Sequence, residues 1–184
     1  MDIDRSQARY FDYRWADGGT SHLEASRNAT VDETADALGG YLNGLGELGR
    51  PIYLVGFSKG GAGIAELISR WDHGEPAPAG VQGAALLDPP IASGLHGLLQ
   101  SAGTLWGPMP DDGGYSPVHC GLAGCEDYRA HLGEASGVAV VVVRNPRSAV
   151  ANFGDRPAGL RVYDADDGGT GALSTFFHRF WELP

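Results

Sequence analysis

The run Ile52-Tyr53-Leu54-Val55-Gly56-Phe57-Ser58-Lys59-Gly60-Gly61 constrains this chain more than any other stretch. Apolar residues lead into Gly-Phe-Ser-Lys-Gly, and behind it Ile64, Ala65, Leu67, Ile68 and Trp71 keep helical spacing. The pattern predicts a strand over Ile52 to Phe57, a sharp turn at Ser58 and a helix to about Trp71. A strand can give way to a helix this abruptly only if two backbones pass very close. Gly56 and Gly60 remove the Cβ atoms that would collide there, and Ser58 between them is expected to hold a strained conformation. Its hydroxyl is then held out at the end of the strand. The backbone N–H of Lys59 lies beside it, at a helix N-terminus that favours negative charge.

The same alternation of apolar runs and helical patterns continues along the chain. Thr30-Val31-Asp32-Glu33 reads as a capping box. Behind it Val31, Ala35, Leu38, Leu42 and Leu45 fall on one stripe that Gly46 and Gly49 end. Arg9 to Trp15, rich in aromatics, reads as a first strand. Val81 to Leu87, the aliphatic Val138 to Val143 and the short Leu160 to Tyr163 read as later strands. Asp72 to Gly80 is a Pro/Gly loop. Leu173, Phe176, Phe177, Phe180 and Trp181 give a last helix its inner face. The segment from Ile91 to Gly137 is Gly-rich without a clean period, as expected of a lid-like or substrate-binding insertion. The predicted fold is α/β: a three-layer, doubly wound, mostly parallel sheet of about five strands in a single domain, 1–184, with the insertion at 91–137.

Length and charge narrow the function classes. With 184 residues, 42% hydrophobic and 20% charged, the chain can bury a proper core. It carries 13 Lys and Arg against 23 Asp and Glu, a formal charge of −10. None of the basic residues forms a run, which argues against a nucleic-acid partner. No apolar run approaches the roughly 20 residues that span a bilayer. Met1 to Arg9 is polar and charged and does not read as a signal peptide, so a cytoplasmic location is expected unless a longer precursor exists. Cys120 and Cys125 sit in a Gly-rich loop, either as two reduced thiols or as a small disulfide loop in an oxidising compartment. With His119 they lack the ligand spacing of a zinc site. Asp164, Asp166 and Asp167 lack the glycine and distal glutamate of a calcium loop and read as a solvated turn. No metal and no cofactor is expected.

The strand, Gly56-Phe57-Ser58-Lys59-Gly60 and the helix behind it resemble the nucleophile elbow of the α/β-hydrolase superfamily, from about Arg9 to Leu183. The stretch from Pro51 to Pro90 looks most like the thioesterase domains that release polyketide and peptide chains. It has their Gly-x-Ser-x-Gly-Gly elbow, and it has Leu86-Leu87-Asp88-Pro89-Pro90 at the end of the next strand. The resemblance implies that Ser58 is the nucleophile, that the Lys59 N–H is an oxyanion donor and that Asp88 is the acid orienting a histidine. It implies an ester or thioester as substrate, cleaved or transferred by a serine-dependent enzyme. Small lipases and esterases share the elbow but place the acid after the following strand. There this chain has Arg144-Asn145-Pro146-Arg147-Ser148, with no carboxylate, which favours Asp88.

Two features depart from that pattern. The imidazole that takes the serine proton follows the final strand in these families, where this chain has Asp164-Ala165-Asp166-Asp167-Gly168-Gly169. His178 lies in the last helix, pointing sideways or outward; His96, His119 and His131 lie in the insertion and could fold over Ser58 or stay on the surface. His22 and His73 are loop residues, so the base is unassigned. The second departure is at the front. An earlier strand with a Gly-rich loop supplies a second oxyanion donor in such enzymes, and no such segment precedes Arg9. The alternative function is therefore a catalytically degenerate scaffold that binds an apolar ligand or a protein partner. Apart from the resemblance, Asp88 before two prolines reads as capping its strand end and starting a turn, and Lys59 at the variable position of the motif reads as an exposed cation able to attract an anionic substrate. With no earlier strand, Arg9 to Trp15 is expected to pair directly with Ile52 to Phe57. Failing that, the open edge would associate into a homo-oligomer.

Overall fold

A computed structural model of the chain describes residues 7–18, 21, 25, 29–46, 49–89, 131–144 and 161–164. The elements described among these residues run in the order α1 (Arg14–Asp17), α2 (Val31–Gly46), β1 (Ile52–Phe57), α3 (Lys59–Asp72), β2 (Val81–Leu87), β3 (Ala139–Arg144) and β4 (Arg161–Asp164). All neighbouring strands are parallel, in the spatial order β1-β2-β3-β4. The architecture is α/β.

Helix α2 begins as its sequence predicts. The Thr30 N–H donates to Glu33 Oε2 (2.7 Å), and the Glu33 N–H donates to Thr30 Oγ1 (3.1 Å). Two of the donors that a helix start leaves unpaired are thereby satisfied reciprocally. Val31, Ala35, Leu38 and Leu42 are buried along one stripe, with Leu45 at its margin. Every non-glycine residue of α3 from Ala62 to Ser69 is also buried. The two helices approach closely at Gly63, where a Cβ would lie 2.9 Å from Thr34 Cγ2. On their polar side Arg70 reaches Glu66 (3.3 Å), Asp32 (3.4 Å) and Asp36 (2.5 Å). Burial alone would lower its proton affinity. The hydrogen bond to Asp36 and the charges of Glu66 and Asp36 outweigh that and hold it above an arginine's ordinary value.

The core lies between these helices and one face of the sheet. Leu54 of β1, Ala84 and Leu86 of β2, and Val140 and Val142 of β3 pack with the helix stripes. On the other face Tyr53 (68% exposed) and Val55 (67%) of β1 are open to solvent. That exposure contrasts with the usual burial of a parallel strand on both faces. The Asp72 carboxylate at the end of α3 accepts hydrogen bonds from the N–H groups of Gly133 (2.7 Å) and Ser136 (2.8 Å). It fixes the turn that leads into β3.

Arg9 to Trp15 is not a strand. The Arg14 N–H donates to Asp12 Oδ1 (3.0 Å), which turns the chain into α1. The aromatics stack on one another and on α2 instead of pairing with β1. Phe11 meets Tyr13 and Trp15 edge to face at 5.7 and 5.4 Å, and Trp15 lies 4.8 Å from Tyr41. A local side-chain to backbone bond overrides the strand propensity of the run. The expected pairing of this segment with Ile52 to Phe57 is absent, and β1 is an edge strand among the described residues. Residues 91–130 of the insertion and the expected last helix lie outside the described residues.

Candidate active site

Ser58 is the residue on which strand becomes helix. Its backbone, at φ +50° and ψ −120°, occupies a region that L-residues rarely adopt. The turn is tight because a Cβ on Gly56 would lie 2.6 Å from the carbonyl carbon and oxygen of Gly60. No side chain fits there. Ser58 is the N-cap of α3, yet its side chain makes no capping hydrogen bond, so the hydroxyl is not spent on the helix it starts. It is half-buried.

Asp88 stands at the end of the neighbouring strand, fully buried and also at positive φ (+47°). Ser58 and Asp88 are the only non-glycine residues at positive φ among the described residues. Backbone strain of this kind costs on the order of 1–3 kcal/mol per residue and gathers at functional sites. Here it falls on two adjacent strand ends.

Register lines up more than these two. Phe57 pairs with Leu87, Leu87 with Val143, and Val143 with Tyr163. One residue further on stand Ser58, Asp88, Arg144 and Asp164. The Ser58 N–H donates to the Leu87 carbonyl (2.9 Å) and the Asp88 N–H to the Val143 carbonyl (2.7 Å), so the ladder runs unbroken into this row. At a strand spacing of about 4.8 Å the four residues span roughly 14 Å. They cross the carboxyl end of the sheet, where open α/β sheets bind ligands.

Arg144 and Asp164 are joined by a hydrogen bond of 2.6 Å from Nε to Oδ1, with the arginine side chain only 10% exposed. From the sequence, Asp164 reads as part of a solvated turn and Arg144 only as the lack of a carboxylate. Their position on the last residue of two adjacent parallel strands is the signal that identifies them. Lys59 also differs from expectation. Its Nζ donates to the Ala29 carbonyl, so the ammonium ties the elbow to the segment before α2 instead of standing as an exposed cation.

Tyr13 comes close to the elbow from the N-terminal segment. A Cβ on Gly60 would lie 3.2 Å from its hydroxyl oxygen, and burial pushes its phenol above the ordinary value. Nothing in its spacing marks it, because the aromatic run reads as a strand.

Neither described histidine reaches Ser58. His73 lies just past the opposite end of α3, about 20 Å along the helix axis, with Nδ1 on the Ser69 carbonyl (2.9 Å). His131, expected to be able to fold over the serine, pairs with Glu134 (2.9 Å) in the turn that enters β3 from the amino end of the sheet. His22, His96, His119 and His178, like Cys120, Cys125, Asp166 and Asp167, lie outside the described residues. No group of His, Cys, Asp or Glu among the described residues could hold a metal ion. No helix among them is long and apolar enough to cross a membrane.

Neither protein-family models, nor curated proteins, nor solved structures give a match to this chain.

Proposed function

We propose that the chain is a doubly wound, α/β-hydrolase-like, serine-dependent hydrolase or acyl-transfer enzyme acting on an ester or thioester. The observation that carries this reading is the conformation of Ser58. A serine held at φ +50° between a strand and a helix, its hydroxyl not used for capping, is costly for the fold and useful to a nucleophile.

In the mechanism, Ser58 Oγ attacks the acyl carbonyl and a base takes its proton. The carbonyl electron pair becomes an oxyanion facing the Lys59 N–H, where the start of α3 favours negative charge. Collapse expels the alcohol or thiol, which recovers the proton, and leaves an acyl-serine that water or an acceptor cleaves. Asp88, one strand across and withdrawn from solvent, is suited to orient an imidazolium through a charge-assisted hydrogen bond. His73 and His131 are held elsewhere, so the base is sought among His22, His96, His119 and His178.

Turnover of p-nitrophenyl butyrate and of a short acyl thioester tests the proposal. The chain is expected to hydrolyse at least one of them, and Ser58→Ala to abolish that activity while keeping the fold. Equal rates for Ser58→Ala and the parent chain would exclude Ser58 as nucleophile, and a folded parent chain that turns over neither probe would favour a binding scaffold.

A further inference from the structure

We infer that the phenol hydroxyl of Tyr13 is a second oxyanion donor of the Ser58 site, facing the developing charge together with the Lys59 N–H. The inference rests on the serine-nucleophile reading above and extends it to a residue outside the elbow.

Successive residues of a helix point about 100° apart, and the first turn of α3 has a different neighbour on each side. A Cβ on Gly61 would meet Pro89 at 3.1 Å, on the flank that carries Asp88. A Cβ on Gly60 would meet the Tyr13 hydroxyl at 3.2 Å. The start of the elbow helix thus has the acid-bearing strand end on one flank and a phenol hydroxyl on another. A base oriented by Asp88 approaches from the first flank, which leaves the other for the carbonyl oxygen and its donors.

The phenol is also held in place. Tyr13 is the residue immediately before α1, and its ring packs against Phe11, which in turn packs against Trp15. Trp15 rests on Tyr41 of α2. The Asp12 carboxylate accepts from the Arg14 backbone N–H and pairs with its guanidinium, closing the turn on either side of Tyr13. An oxyanion donor works by being aimed before charge develops, so that no reorganisation is needed during the reaction. A phenol is protonated at neutral pH, as a donor must be, and burial pushes this one further from ionisation. During attack the Oγ–C bond forms, the serine proton goes to the base, and the carbonyl π pair becomes the oxyanion. Tyr13 donates a hydrogen bond to that oxygen and transfers no proton.

Tyr13→Phe removes only the hydroxyl. With p-nitrophenyl butyrate as probe, kcat is expected to fall about 10²-fold, because a donor to the oxyanion acts in the transition state. KM should move by less than about threefold, and the melting temperature should hold. Gly60→Ala presses a methyl group against the phenol, so it should slow the parent chain but not Tyr13→Phe further. That non-additivity carries the test if Tyr13→Phe proves poorly folded. A Tyr13→Phe variant with unchanged kcat, in a chain whose turnover needs Ser58, overturns this inference alone. A parent chain whose turnover does not need Ser58 overturns both readings.

Discussion

At the scale of single residues, the strain on Ser58 predicts opposite effects on stability and on chemistry. Glycine occupies φ +50° readily, so Ser58→Gly relieves part of a penalty on the order of 1–3 kcal/mol, less the entropy a glycine loses on folding. The variant is expected to melt higher than the parent and to have no turnover, and calorimetry beside an ester assay checks both. Asp88 gives a second residue-scale prediction. If it orients the base, Asp88→Asn holds the wrong histidine tautomer and turnover falls by about 10⁴. A carboxylate that only capped its strand would leave turnover largely intact. Tyr13 adds a pH signature. Its folded phenol titrates above the ordinary 10.0 because the charged form is desolvated. The unfolded chain therefore ionises first, and stability is full below pH 10 and declines as pH rises through the folded value. Alkaline denaturation curves of Tyr13→Phe should lack that increment.

At the scale of elements, one helix and the four strands among the described residues are legible in the sequence. Helix α2 and strands β1 to β4 begin and end within about a residue of where periodicity, the capping box and the glycines place them. Those signals are local, and the same contacts that produce them are the ones observed. The Arg9–Trp15 segment is the instructive exception. Its aromatics satisfy strand propensity on paper, but the Asp12 carboxylate bonds the Arg14 N–H and the rings find partners among themselves and on Tyr41. Propensity cannot see a side chain two residues away competing for the backbone. Asp72 provides a test at this scale that separates framework from site. Its carboxylate receives two backbone N–H groups at the far end of α3 from Ser58. Asp72→Ala is expected to cost about 2–3 kcal/mol in urea denaturation, with kcat of the folded fraction unchanged.

At the scale of the whole molecule, a single device gathers the site. In a parallel sheet every strand finishes at the same end, and residues 58, 88, 144 and 164, far apart in sequence, become one row there. The sequence names Ser58 and Asp88 because the elbow and the Leu-Leu-Asp run carry recognisable spacing. Arg144 with Asp164, and Tyr13 beside Gly60, emerge only from register and packing, which no linear pattern encodes. The position of β1 at the sheet edge is of the same kind, since it depends on which segments pair rather than on what β1 is made of. The central claim is that this row is organised around a nucleophilic Ser58. Its most direct measurement is reaction with a fluorophosphonate followed by mass mapping of the adduct. The account predicts one covalent adduct, on Ser58, lost in Ser58→Ala and slowed in Asp88→Asn. A folded parent chain that takes up no label, or takes it up on another residue, would contradict it.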